Sequence, residues 1–249
     1  MSGPPRISIF ADERALARAL TDRVAAALAA TPTLVLGLPT GRTPVLFYED
    51  LSSRVERGAV NLSRAATFNL DEFVGITAKH PGSFRQFMNG HLFNRVNLAP
   101  QRIHFLDGAA TDTTEECARY EREIAAAGGI DLQILGLGTN GHIGFNEPAP
   151  ALEARTHRVR LEAETRAANA QLFAGDPEQV PAEALSMGIA TILQARQIVL
   201  VATGTPKAAI VERLLRGPIT TDLPGSILQV HGDVDVMLDE AAAAGFRIS

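Results

Sequence analysis

The segment L-G-L-G-T-N-G-H-I-G-F-N-E-P at 135–148 concentrates more chemistry than any other stretch of the chain. An apolar run ends in glycines, which let a backbone approach a ligand closely. Asn140 and His142 follow, and Glu147 lies five residues beyond the histidine. A histidine oriented by a carboxylate moves protons near neutral pH. The plainer reading is a core histidine and a turn glutamate, but it accounts poorly for so many Gly, Asn, His and Glu residues in one loop. A second segment, F-N-L-D-E-F-V-G at 68–75, sets Asp71 and Glu72 straight after an apolar run. A carboxylate sheltered there would have a raised pKa and could serve as a base. Taken alone, such a D-E pair reads better as a cap or a surface pair. In L-G-L-P-T-G-R-T-P at 36–44, the amides around Gly41 and a following helix would attract phosphate. Thr40 and Thr43 add hydroxyls, and Arg42 adds a planar charged fork. The pattern is neither a Walker A nor a G-x-G-x-x-G loop, which argues against a nucleotide. In A-T-G-T-P-K-A at 202–208, Lys207 stands at a predicted helix start, where positive charge is unfavourable unless an anion binds. Taken alone, the first of these loops is equally compatible with an ordinary turn, and Lys207 with a solvated surface lysine.

Other candidates are weaker. His91, His104 and His231 are far apart in sequence, and no pair has zinc-ligand spacing, so neither metal nor cofactor is expected. There is no G-x-S-x-G elbow. Cys117 reads as a packed thiol on a helix, and H-P-G-S-F at 80–84 as a loop that could line a pocket.

The elements that must position these residues follow from hydrophobic pattern. Apolar, β-branched runs predict strands at 6–10, 33–38, 65–70, 102–106, 131–137, 197–202 and 228–230. Amphipathic stretches predict helices at 13–30, 44–57, 83–93, 113–127, 181–194 and 206–215. The alternation implies an α/β fold: an open, mostly parallel, Rossmann-like sheet with helices on both faces, in one domain over 1–249. All four motifs fall just after a predicted strand, where ligands bind in such sheets. The segment 148–181 is less regular and is expected to be a cap or lid.

Composition narrows the classes. Hydrophobic residues make up 46% and charged residues 20%, enough for a core. A net charge of -5 without a basic run argues against nucleic acid. A single cysteine allows no internal disulfide, no signal peptide is visible, and no run is long enough for a membrane span. A cytoplasmic protein with no membrane partner is expected, and a homo-oligomer remains open.

Together the four motifs resemble the glucosamine-6-phosphate deaminase family, whose fold is shared with 6-phosphogluconolactonases. The resemblance covers nearly the whole chain in order. G-H-I-G-F-N-E-P and F-N-L-D-E-F-V-G are its specific parts. The lactonase branch usually has D-E-R in the one place and D-G-H-T without F-N-E-P in the other. The resemblance implies conversion of glucosamine 6-phosphate to fructose 6-phosphate and ammonia without a cofactor. It implies that His142 assists ring opening, that Glu147 and Asn140 orient it, and that Asp71 moves the C2 proton to C1. Thr40, Gly41, Arg42, Thr43 and Lys207 would hold the phosphate.

Three departures from the family pattern matter. Many members have Asp at Asn140, so His142 would lean more on Glu147. The family often has Arg where Gln171 stands, while Gly or Ser is usual at Arg42; the hypothesis is that Arg42 supplies the missing guanidinium. Hexameric enterobacterial members are activated by N-acetylglucosamine 6-phosphate. The basic positions of that site fall on His157 and Val159, and Pro150 replaces a serine, so no such activation is expected. A galacto epimer, a phosphogluconolactone and a non-catalytic sugar-phosphate sensor stay as alternatives.

Overall fold

Strands with no polar face must be covered on both sides, and the computed structural model, which describes residues 5–245, does this with two layers of helix. The first four residues of the N-terminal segment read for a signal peptide lie outside the described residues. In chain order the strands are β1 (Arg6–Phe10), β2 (Val35–Leu38), β3 (Ala66–Asn69), β4 (Asp71–Phe73), β5 (Ile103–His104), β6 (Leu132–Gly136), β7 (His157–Arg160), β8 (Glu183–Ser186), β9 (Gln197–Ala202) and β10 (Val234–Asp239). The helices are α1 (Glu13–Ala30), α2 (Val45–Glu56), α3 (Phe84–His91), α4 (Thr113–Ala126), α5 (Ala163–Asn169), α6 (Ile189–Leu193) and α7 (Ala208–Arg216).

Seven strands form one sheet in the order β1-β10-β9-β6-β2-β3-β5, and every pairing in it is parallel. On one face Leu20 and Val24 of α1, Phe47 and Leu51 of α2 and Met88 of α3 pack on Leu36, Leu38, Ile134 and Val199. On the other, Tyr120 of α4, Ile192 of α6 and Val211 and Leu214 of α7 pack on Phe68, Leu135, Leu200 and Val236. Each such side chain contributes about 1.5–3 kcal/mol on burial. Asp12 and Asp112 begin α1 and α4 by accepting amides of the first turn, which satisfies donors that a helix start leaves open.

The chain reverses direction across the sheet between β2 and β6. From β2 it builds outward through β3 to β5; from β6 it builds the other way through β9 to β10. A crevice opens at such a switch point, beyond the carboxyl ends of the strands. The four motif loops follow β2, β3, β6 and β9, which are four adjacent central strands. No helix among the described residues is long and apolar enough to cross a membrane.

Two expectations need correction. The strand expected at 228–230 lies inside a 3-10 stretch, Pro224–Val230. The last strand is β10, whose V-D-V-M-L-D run is interrupted by acids and so did not read as a buried strand. Asp235 is tolerated there because Arg6 and Arg23 pair with it, and Asp239 because it accepts the amides of Gly204 and Ala242. The helix expected at 181–194 is instead β8 followed by the short α6. There Ala184 and Leu185 are buried in a strand, and Gly188 has no room for a side chain against the backbone of Arg155. β8 is the centre of a second, antiparallel sheet, β4-β8-β7, that the sequence pattern did not reveal. The segment 148–181 contains β7, α5 and two 3-10 turns, Ala170–Phe173 and Pro177–Gln179. It is ordered over its own apolar cluster, in which Phe73, Phe84, Phe145 and Phe173 meet.

Candidate active site

The loop after β6 folds back on itself: the Gly138 amide bonds the His142 carbonyl at 2.9 Å and the Gly141 amide bonds the Gly138 carbonyl at 3.1 Å. This lays the His142 ring on the backbone of Gly138. A Cβ at Gly138 would stand 2.5 Å from three atoms of that ring, so glycine is required for the close approach. His142 Nδ1 lies 3.3 Å from Glu147 Oε2. A carboxylate only accepts, so Nδ1 carries the proton, which in the neutral ring puts the lone pair on Nε2. Asn140 Nδ2 donates to the same Oε2 at 2.7 Å, and its Oδ1 accepts the His142 amide at 3.2 Å. Glu147 Oε1 accepts from the Thr165 hydroxyl at 2.5 Å. Burial alone would raise the Glu147 pKa, but the hydrogen bond from His142 and its charge when the ring is protonated, with the Thr165 and Asn140 bonds, outweigh it and hold the carboxyl below its usual value.

Asp71 opens β4, with only Leu70 between it and the end of β3. It is buried, and a hydroxyl of Thr40 approaches it at 3.5 Å. Burial pushes its carboxyl up to about 8, the neighbouring Glu72 charge adds to the rise, and Thr40 opposes it. Glu72 has a different task. Its carboxylate accepts the amides of Phe73, Phe84 and Arg85, each at 2.9 Å, and so caps the start of α3. Burial still raises it to about 7 against those three bonds.

The loop 39–44 turns through Gly41 at φ +91, in the left-handed region where a side chain is strained, and passes into α2. Among the described residues, nothing accepts from the amides of Gly41, Arg42 or Thr43, and Arg42 is exposed without a hydrogen bond or ion pair. Successive unbonded amides of this kind suit an anion. Lys207 ends a 3-10 turn, Thr205–Lys207, that leads into α7. Burial lowers its pKa, and the Glu164 charge partly restores it. Gln171 is exposed on the turn after α5. Two pieces of the site are tied by direct bonds, Asn140, His142 and Glu147 to one another and Asp71 to Thr40, while Lys207 is linked to Glu164 by charge alone. The described residues contain no group of three or more His, Cys, Asp and Glu side chains placed to hold a metal ion.

A sequence profile described as glucosamine-6-phosphate isomerases/6-phosphogluconolactonase matches residues 11–236. The chain belongs to that family. Within the isomerase/lactonase family it is 52% identical over 213 residues to a glucosamine-6-phosphate deaminase of Rhodopirellula baltica, covering 86% of this chain and 84% of that one. It is 49% identical over 210 residues to glucosamine-6-phosphate deaminase 2 of Bacillus subtilis, covering 84% of each. Its fold matches a monomeric glucosamine-6-phosphate deaminase with a TM-score of 0.93 at 38% identity, over 96% of this chain and 99% of that one. A 6-phosphogluconolactonase from Trypanosoma cruzi matches with a TM-score of 0.79 at 20% identity, over 99% and 98% of the two chains, a likeness of fold alone.

Several residues of this candidate site were not anticipated from sequence. Thr165 of α5 reaches Glu147, and its neighbour Glu164 accepts from Thr139 at 2.8 Å. Ser186 of β8 stands opposite Asp71 in the small sheet and accepts the Phe145 amide at 3.0 Å. Asn146 Nδ2 donates to Ile143 and Met187 carbonyls, both at 2.8 Å. β8 thus joins the strand of Asp71 to the loop of His142. Asn146 was visible inside F-N-E-P; for Thr165 and Ser186, distant in sequence, no local signal exists.

Proposed function

We propose that this chain isomerises and deaminates glucosamine 6-phosphate, with one water, to fructose 6-phosphate and ammonia. The observation that carries this reading is the Glu147–His142 pair, whose carboxylate faces Nδ1 at 3.3 Å, at the same carboxyl end of the sheet as a buried carboxyl raised to about 8. Nε2 would take a proton from the anomeric hydroxyl and return it to the ring oxygen, which opens the pyranose. Asn140 would hold Glu147 and the loop rather than act as a base. Asp71, once ionised, would remove the C2 proton to give an enolamine and return it at C1 to give an imine at C2. Water then adds at C2, and ammonia leaves. The 40–43 loop (Thr40, Gly41, Arg42, Thr43) and Lys207 would hold the phosphate dianion, so that C2 is presented to one base.

The chain would act as one sugar-phosphate domain in the cytoplasm, with 148–181 as its cover. No step calls for a redox cofactor or a metal. The test is product analysis with three substrates: glucosamine 6-phosphate, galactosamine 6-phosphate and 6-phosphogluconolactone. Ammonia and a ketose phosphate in equal amounts from the gluco substrate are expected. Hydrolysis of the lactone without ammonia from either amino sugar would overturn the assignment.

A further inference from the structure

The cover segment enters the catalytic loop through one helix. α5 is seven residues long and mostly exposed, yet Thr165 in it is buried, at 3% exposure. Its hydroxyl proton goes to Glu147 Oε1 at 2.5 Å. The other carboxylate oxygen, Oε2, serves Asn140 and His142. The two oxygens therefore have separate duties, and Thr165 is the side-chain donor that distinguishes them. Without it, Oε1 would be a buried anionic oxygen with no side-chain donor, and the carboxylate could rotate about its Cγ–Cδ bond to find one. Rotation would shift the acceptor that faces His142 Nδ1.

We infer that Thr165 is a positioning residue: it holds Glu147 in the orientation that keeps His142 protonated on Nδ1 and free on Nε2, so that proton transfer at the sugar ring requires α5 to be docked. Two features strengthen the link between helix and loop. Glu164, adjacent in α5, accepts from Thr139 of the same loop at 2.8 Å. Phe145, two residues before Glu147, packs in the apolar cluster with Phe173 and Ala170 of the turn that follows α5. Within the cover, Arg166 bonds the carbonyls of Glu178 and Val180, both at 3.2 Å, which ties α5 to the turn beyond it. The cover and the proton-transfer loop thus move, or stay, together.

This inference rests on the proposed role of His142, and the experiment separates the two. Thr165→Val keeps the shape and removes the hydroxyl; Thr165→Ser restores it. Ammonia release from glucosamine 6-phosphate is measured against pH for both, with His142→Asn alongside. Thr165→Val is expected to lose about ten- to a hundredfold in kcat with KM within about threefold of wild type. Its kcat–pH profile should differ from that of wild type, and Thr165→Ser should return to within about threefold of wild type. The imidazole nitrogen NMR signals of His142 should show the Nδ1–H tautomer in wild type and Thr165→Ser and a mixture in Thr165→Val. If His142→Asn is inactive while Thr165→Val matches wild type in kcat, pH profile and tautomer, Thr165 has no positioning role. If His142→Asn keeps full turnover, the underlying role of His142 is what fails. Should Thr165→Val not fold, Thr165→Cys is read by the same criteria.

Discussion

Replacing Asp71 by Asn should make the protein more stable as well as inactive, and the gain should depend on pH. Asp71 is buried, with its carboxyl raised from an ordinary 3.8 to about 8. A group raised in the folded state favours folding fully below its unfolded pKa, and that advantage is lost as pH rises through the folded value. For Asp71 the loss runs from about pH 4 to about pH 8. At about 1.4 kcal/mol per tenfold, the whole displacement corresponds to about 6 kcal/mol. Part of it is mutual repulsion with Glu72, so about 3 kcal/mol is the reasonable expectation for one substitution. In a chain of this length that is about 6–12 °C in Tm. Asn has the shape of the protonated acid and does not ionise. The assay is a pair of thermal melts, wild type and Asp71→Asn, at intervals from pH 4 to pH 9. The difference in Tm should be near zero at the acid end, grow to about pH 8 and then level. A difference that is flat across this range, or negative at pH 9, would refute the claim that Asp71 carries a buried, suppressed charge.

The other predictions use activity. In the proposed mechanism Asp71 takes the C2 proton only when ionised, so kcat/KM should rise with pH through about 8 in the free enzyme rather than near 4; an acid limb at the ordinary aspartate value would contradict this. Gly138→Ala would put a methyl 2.5 Å from the His142 ring, so kcat should fall about a hundredfold in steady-state assays; unchanged kcat would show that the ring's seat is not critical. Arg42→Ala should raise KM for the phosphorylated sugar about ten- to a hundredfold with kcat nearly constant, the loss of a charge-assisted phosphate bond; an unchanged KM would remove Arg42 from the grip.

The parallel sheet was legible because its central strands carry no polar face: L-Q-I-L-G and Q-I-V-L-V-A announce strands buried on both sides. The long helices α1, α2 and α4 were legible for the opposite reason, since each shows one apolar stripe. What failed were elements whose character is decided by partners. β10 contains buried acids that only Arg6, Arg23 and the Gly204 amide make tolerable. β4 and β7 are short strands that exist because β8 lies between them. The site shows the same division. Asp71, Asn140, His142 and Glu147 stand in contiguous, chemically dense loops. Glu72 shares such a loop with Asp71, yet three backbone amides make it a helix cap. Thr165 has an ordinary helical neighbourhood in sequence and acquires its importance from a contact across 18 residues.

The central claim is that Asp71 is the base that moves the C2 proton. Ammonia release and substrate binding, measured on the same preparation of Asp71→Asn with glucosamine 6-phosphate, test it most directly. Turnover should fall by about a thousandfold or more while binding stays within a few-fold of wild type. Turnover within about tenfold of wild type would contradict the account, because a neutral amide at that position cannot accept the proton.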